Sequence, residues 1–395
     1  MISINEQSFK DRKAIIRVDF NVPMSPEKKV QDNSRILGAK STILKVINDG
    51  GSCILVSHLG RPKGKQNSLS LKPIVSELEN ILGRKVIFCK DVFGKKTESK
   101  INTLQPGQII LLENIRFYEE ETKGDQLFAK KIASYGDCYI NDAFGSAHRA
   151  HASTSIIAKF FNNNKFSGHL LSKEIESIEQ VLSFGKKPVL AILGGAKVSS
   201  KITIIESMMN KVDEIIIGGG MAFTFIKALG GKIGNSICEE DKLDLALSIL
   251  AKAKAKGLEI HLPVDVVCSK EFSNDGTKKI EDIRSVPNDW QGLDAGPKSI
   301  TEFSKVIKRA KTILWNGPVG VFELESFSKG TIAIGQSIVE STKKGAFSLV
   351  GGGDSVAAVK KFDFQDKVSY VSTGGGAMLE SLEGKDLPGI KALFN

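Results

Sequence analysis

Short apolar runs that break off into polar residues or glycine recur along this 395-residue chain. In the first half they read AIIRVDFN, CILVSHLGR, IILLENIR and CYINDAFG. In the second half they read VLAILGGAK, EIIIGGG, TILWNGPVG, FSLVGGGD and YVSTGGGA. Near-continuous apolar runs of this length are what strands buried on both faces look like. Longer stretches at helical spacing separate them, among them DKLDLALSILAKAKAK at 241–256. The alternation predicts an α/β protein with two doubly wound, Rossmann-like parallel sheets. Ligands of such sheets bind beyond the carboxyl ends of the strands, where the polar and glycine residues fall.

The length suits two domains. Residues 172–185, beginning SKEIESIEQVLSF, read as the inter-domain helix: Ser172 is placed to cap it, Ile175, Ile178, Val181 and Leu182 recur at helical spacing, and Gly185 and Pro188 end it. This divides the chain into domains 1–171 and 186–379. The halves differ in chemistry. Arg12, Arg17, Arg35, Arg61, Arg84, Arg116 and Arg149 fall before residue 150, and only Arg284 and Arg309 after it. Three glycine triplets, 218–220, 351–353 and 374–376, fall in the second half. Arginine forks suit carboxylate and phosphate, whereas glycine lets backbone approach a phosphate or a flat ring. One half reads as built for a small anion and the other for a nucleotide.

Composition excludes several classes. Hydrophobic content of 41% and charged content of 25% are those of a globular protein. No apolar run approaches the roughly 20 residues of a membrane span, and the N-terminus has no apolar h-region, so a cytoplasmic protein is expected. Cys53, Cys89, Cys138, Cys238 and Cys268 form no C-x-x-C pair and read as buried thiols. The net charge of +10 raises nucleic-acid binding. The lysines are scattered among acidic residues, however, with no basic-aromatic stripe, and the expectation is no nucleic-acid and no membrane partner.

The loop NDAFGSAHRAHAST (141–154) sets His148 and His151 about Arg149. Metal-ligand spacing is absent, and no G-x-S-x-G elbow supports a nucleophile. An anion cradle remains. Arg61, Arg116 and Arg149 each follow a strand run closely, so they are expected to share one sheet edge. In RVDFNVP, Asp19 and Asn21 alternate with Val18 and Phe20, as turn caps or as partners of substrate hydroxyls. GGAKVSSK puts Lys197 and Lys201 one helical turn apart, at a helix N-terminus that would suit phosphate. In GGGDS, Asp354 is either an N-cap or a Mg²⁺ carboxylate.

RVDFNVP, SHLGRP, LLENIRF, NDAFGSAHRAHAS, AILGGAKVSSKI, IIGGGMAFTF, LPVD, WNGPVGVFE, GGGDS and STGGGA occur in one order from end to end. Together they resemble the phosphoglycerate kinase family. The resemblance implies reversible, Mg²⁺-dependent phosphoryl transfer from 1,3-bisphosphoglycerate to ADP, giving 3-phosphoglycerate and ATP, in a cleft closed by hinge bending. It implies that the first domain binds phosphoglycerate: Asp19, Phe20, Asn21 and Arg35 at the carboxylate end, and His58, Leu59, Gly60, Arg61, Arg116 and Arg149 toward the far phosphate. It implies a nucleotide site from Gly218, Gly219, Gly220 and Gly292 at the base, Glu323 at the ribose, and Asn316, Lys201, Gly352, Gly353, Asp354 and Ser355 at the phosphates and metal. Arg35, Lys197, Gly374 and Gly375 would stabilise the phosphoryl group in transfer. The tail, 380–395, would pack back on the first domain, and a monomer is expected. The alternatives are another nucleotide-dependent transferase of phosphorylated acids and a non-catalytic nucleic-acid binder.

Overall fold

In the computed structural model, which describes residues 2–394, the chain divides into two compact units, 1–175 with 386–395 and 176–385. The first is built on six parallel strands, β1 (Lys13–Val18), β2 (Ser52–Val56), β3 (Val86–Cys89), β4 (Ile109–Leu112), β5 (Cys138–Asp142) and β6 (Lys165–Ser167), in the order β3-β4-β2-β1-β5-β6. Alternation decides which side chains share a face: Ala14, Ile16 and Val18 join Ile36, Ile43 and Val46 of the helix Ser34–Asn48 in one core.

The second unit opens with β7 (Val189–Leu193), β8 (Glu214–Ile217), β9 (Lys232–Ile233), β10 (Glu259–His261) and β11 (Asp265–Ser269). It continues with β12 (Lys278–Asp282), β13 (Ser285–Val286), β14 (Gln291–Ala295), β15 (Thr312–Asn316), β16 (Phe347–Val350) and β17 (Tyr370–Val371). Its main sheet is again parallel and six-stranded, β10-β8-β7-β15-β16-β17. Two small sheets were not expected: an antiparallel β12-β11-β14 and a parallel pair, β13-β9.

In each main sheet the strand order reverses once, at β1/β5 and at β7/β15. A crevice opens at such a switch point. Around β7/β15 glycine is obligatory: a Cβ on Gly194 would stand 2.0 Å from the Pro318 carbonyl oxygen, and one on Gly317, whose φ is +114°, 2.1 Å from that of Gly194.

Three sequence expectations need correction. The connecting helix spans His169–Leu182, not 172–185, and Ser172 does not cap it. Its first turn is held instead by Thr42 Oγ1, which accepts the His169 N–H, and by buried Asp142, whose Oδ1 accepts that of Leu171. Ser172 Oγ bonds Ser167 Oγ at 2.7 Å. The helix expected at 241–256 is α-helical over Leu243–Ala255. Four cysteines are buried as expected, but Cys238 is only half-buried.

Candidate active site

At the carboxyl edge of the first sheet, polar residues that end the strands fasten one strand's loop to the next. Ser57 Oγ accepts the Phe20 N–H at 2.8 Å, Asn21 Oδ1 the Gly60 N–H at 2.8 Å, and Asn114 Nδ2 donates to the carbonyls of Leu59 and Leu69 at 2.8 Å each. Phe20 and Leu59 are buried side chains, so they meet this edge through backbone. Asn21 Oδ1 is thus committed to fastening the loop at Gly60, and the residue's main-chain carbonyl oxygen accepts from Arg35 at 2.9 Å. Arg35 also reaches Asp19 Oδ1 at 3.1 Å.

Around these loops lies a cluster of cationic groups. Arg116 donates to the Gly60 carbonyl at 2.9 Å, and its Nε is buried with no partner. Its pKa is lowered to about 10, first by burial and then by Arg17, with Arg149 contributing further. Burial, then Arg116, Arg17 and Arg149, lowers that of His151 to about 3. His58 is held far below the usual imidazole range by burial and then by Arg17. Both histidines are therefore neutral at pH 7. Arg149 belongs to this cluster, with its carbonyl tied to Thr154 Oγ1 at 3.1 Å. Arg61 is exposed and makes no hydrogen bond or ion pair to another described residue.

Arg17 escaped the sequence reading. It lies inside β1, fully buried, and donates to Ser153 Oγ at 2.8 Å, which donates in turn to Glu121 Oε1 at 2.7 Å. Its NH2 stands 3.1 Å from His58 Nδ1. Arginine can only donate, so His58 Nδ1 is the acceptor and Nε2 carries the proton. The signal was a lone charge inside the apolar run AIIRV.

In the second unit a cavity of about 540 Å³ is lined by Gly218, Gly219, Gly220, Gly292, Glu323 and Asp354, together with apolar side chains such as Phe223 and Val319. Gly292 is required there, since a Cβ would stand 2.2 Å from Phe223 Cζ. Lys197 and Lys201 do not share a helix face: 195–201 is an irregular turn, and Lys201 directly precedes the helix Ile202–Met208. Lys201 bonds Asn316 Oδ1, whose Nδ2 donates to the Gly351 carbonyl at 2.7 Å. Burial lowers the Lys201 pKa, opposed by Asp354.

Asp354 is not an N-cap. Gly352, at φ +92°, holds that position before the helix Gly353–Lys361, and Asp354 lies in its first turn, exposed and with no hydrogen bond or ion pair to another described residue. A free carboxylate at a cavity rim fits a hard divalent cation. Ser355 Oγ is buried and accepts the Gly317 N–H, which locks the β15 loop to this helix. In the helix Gly375–Leu382, the Gly374 N–H is already donated to Ser372 Oγ at 3.1 Å, whereas that of Gly375 is a first-turn donor.

Among the described residues the metal-type grouping is Glu214, Glu259 and His261: Glu214 and Glu259 open β8 and β10, and His261 closes β10. Arg309 and His261 already satisfy Glu214, so it is an ion-pair network. No helix among the described residues is long and apolar enough to cross a membrane.

A desolvated cationic cluster on one doubly wound unit and a glycine-lined cavity on the other are the equipment of a phosphotransferase. Comparison with known proteins narrows the class. The family model for phosphoglycerate kinase matches residues 4–385. The chain is 50% identical to the phosphoglycerate kinase of Porphyromonas gingivalis, over 99% of this chain and 100% of that one. It is 49% identical to the cytosolic phosphoglycerate kinase of Triticum aestivum, over 99% and 97%. The solved phosphoglycerate kinase of Coxiella burnetii superposes with a TM-score of 0.91 at 40% identity, covering 100% of this chain and 98% of that one. The chain belongs to the phosphoglycerate kinase family. Its reaction is reversible phosphoryl transfer between 1,3-bisphosphoglycerate and ADP.

Proposed function

We propose that the first unit holds the phosphoglycerate and the second the nucleotide, with the roles distributed over the residues described above. The observation that carries this reading is the accumulation of positive charge around Arg116, whose buried Nε has no protein partner. Like charges collected at that density call for an anion. Arg116 and Arg149 take the phosphate of 3-phosphoglycerate, with Arg61 closing from solvent, and His58 donates its Nε2–H. Asp19, Asn21 and Arg35 meet the carboxylate end. In the second unit the glycines at 218–220 and 292 flank the base, Glu323 takes the ribose, and Lys201, Asn316 and the 352–355 turn take phosphate oxygens.

The step needs no general base. An ionised β-phosphate oxygen of ADP attacks the acyl phosphorus; the new P–O bond forms as the bond to the acyl oxygen breaks, and that oxygen leaves as the carboxylate of 3-phosphoglycerate. Such transfers depend on alignment and charge neutralisation. Arg35, Lys197 and the Gly375 N–H are assigned to the equatorial oxygens, with Gly374 able to join only by releasing Ser372. Asp354 would hold Mg²⁺, which supplies charge neutralisation at the nucleotide phosphates. An acyl phosphate hydrolyses in water, so the half-sites must be united by a closing motion that excludes it. A cytoplasmic location fits the cytosolic names of plant relatives, and a monomer is proposed with it.

The test is ATP consumption with 3-phosphoglycerate and Mg²⁺, the acyl phosphate being drawn off by an NADH-coupled dehydrogenase. Turnover should occur and fall at least about a hundredfold in Arg35→Ala, the cost of about 2.7 kcal/mol in transition-state stabilisation. An unaffected variant would remove Arg35 from the catalytic set; scattering without compaction on binding both substrates would remove the closing motion.

A further inference from the structure

In the first unit the end of the chain lies against residues 155–165, and the two enclose a cavity of about 670 Å³. None of the arginines assigned to phosphoglycerate lines it. Its wall carries Lys159, Asn162, Lys165, Asp386 and Lys391. Lys165 opens the edge strand β6 and is only 7% exposed, yet its ammonium makes no hydrogen bond or ion pair with another described residue. Burial lowers its pKa, with no carboxylate opposing the shift. Lys391 is matched by Asp386 at 2.9 Å, whereas Lys159 has no ion pair. Three ammonium groups against one carboxylate leave two positive charges over, one of them on a side chain that is nine-tenths buried.

We propose that this cavity binds a small phosphate-bearing anion. A lysine whose stem is buried and whose ammonium has no counter-ion among the described residues is a ready site for an anionic ligand. The volume is that of a metabolite pocket, about 300–1,000 Å³. Lysines are point donors that suit the tetrahedral oxygens of phosphate, where planar carboxylates favour guanidinium forks. Occupancy would also pin the tail. The Gly389 N–H donates to the Ala147 carbonyl at 2.8 Å, and Asn141 Nδ2 bridges the carbonyls of Gly389 and Thr154, so the tail is joined to the loop that carries Arg149.

The experiment labels the full-length protein with acetic anhydride at constant ionic strength and reads Lys165 and exposed Lys10 by peptide mass spectrometry. Pyrophosphate should reduce labelling at Lys165 at least about threefold and leave Lys10 unchanged. The protection should persist in Arg149→Ala, because that arginine belongs to the other site. Citrate at matched ionic strength should not protect. Labelling indifferent to pyrophosphate, protection lost in Arg149→Ala, or equal protection by citrate would each overturn the proposal. If Lys165 proves inert to the reagent, calorimetry decides. Lys165→Met, folded by its melting curve, should lose one of two pyrophosphate binding events, and retention of both would refute the site.

Discussion

Glycine at two neighbouring turns answers to different constraints. At Gly317 both φ and the Gly194 carbonyl forbid a side chain; at Gly353 nothing lies within 4 Å of an added Cβ. Gly317→Ala should therefore lose about 2–4 kcal/mol of stability in urea unfolding. Gly353→Ala should change it by less than about 0.5 kcal/mol while weakening MgADP binding, because its new methyl would meet the nucleotide phosphates. Equal stability losses would contradict this division. At this scale the sequence was legible where residue type and strand-end position coincided, as at Arg116, Arg149 and Asp354. Arg17 carries only the signal of a lone charge in the apolar run AIIRV, and its role cannot be read until Ser153 and His58, distant in sequence, are seen to receive it.

Among elements, the parallel strands were legible because burial on both faces leaves unbroken apolar runs. The sheet β12-β11-β14 was hidden: β12, KKIED, has one face in solvent and only five residues, too few for alternation to stand out from a charged loop. Asp265 of LPVD likewise has a role that its sequence neighbours do not announce. Buried at the start of β11, it accepts from the N–H groups of Lys298 and Ser299 at 3.0 and 2.7 Å, capping the helix Pro297–Arg309 from outside. Gly296 is glycine because a Cβ would stand 2.3 Å from the Asp265 carboxyl carbon. Asp265→Ala should destabilise the second unit by about 2 kcal/mol, with Asp265→Asn milder, both read from thermal unfolding. A loss under about 0.5 kcal/mol would show that the cap is dispensable.

At the scale of the whole molecule's stability, two buried groups of the first unit contribute with opposite pH dependence. Burial raises the carboxyl of Asp142 to about 7, and burial lowers the imidazole of His151 to about 3. Between pH 5 and 6 the folded state holds the Asp142 proton that the unfolded chain releases, so this group's stabilisation declines as pH rises toward 7. The unfolded chain holds the His151 proton that the folded state refuses, so that group's contribution is complete above about 6.5 and is lost on acidification. Each amounts to at most about 1.4 kcal/mol per pH unit, with opposite sign. Relative to wild type, the stability of Asp142→Asn should rise more steeply with pH across this window, and that of His151→Gln less steeply, by urea midpoint. Parallel curves would contradict both assignments.

On the proposed reading, each unit recognises its own ligand. The most direct test measures 3-phosphoglycerate and MgADP binding by calorimetry in two variants. Arg149→Ala should weaken 3-phosphoglycerate roughly 10- to 150-fold, the equivalent of about 1.5–3 kcal/mol for a charge-assisted bond, and leave MgADP within about twofold. Asp354→Ala should do the reverse. Loss of both ligands in either variant, or of neither in both, would contradict the assignment of the anion to one unit and the nucleotide to the other.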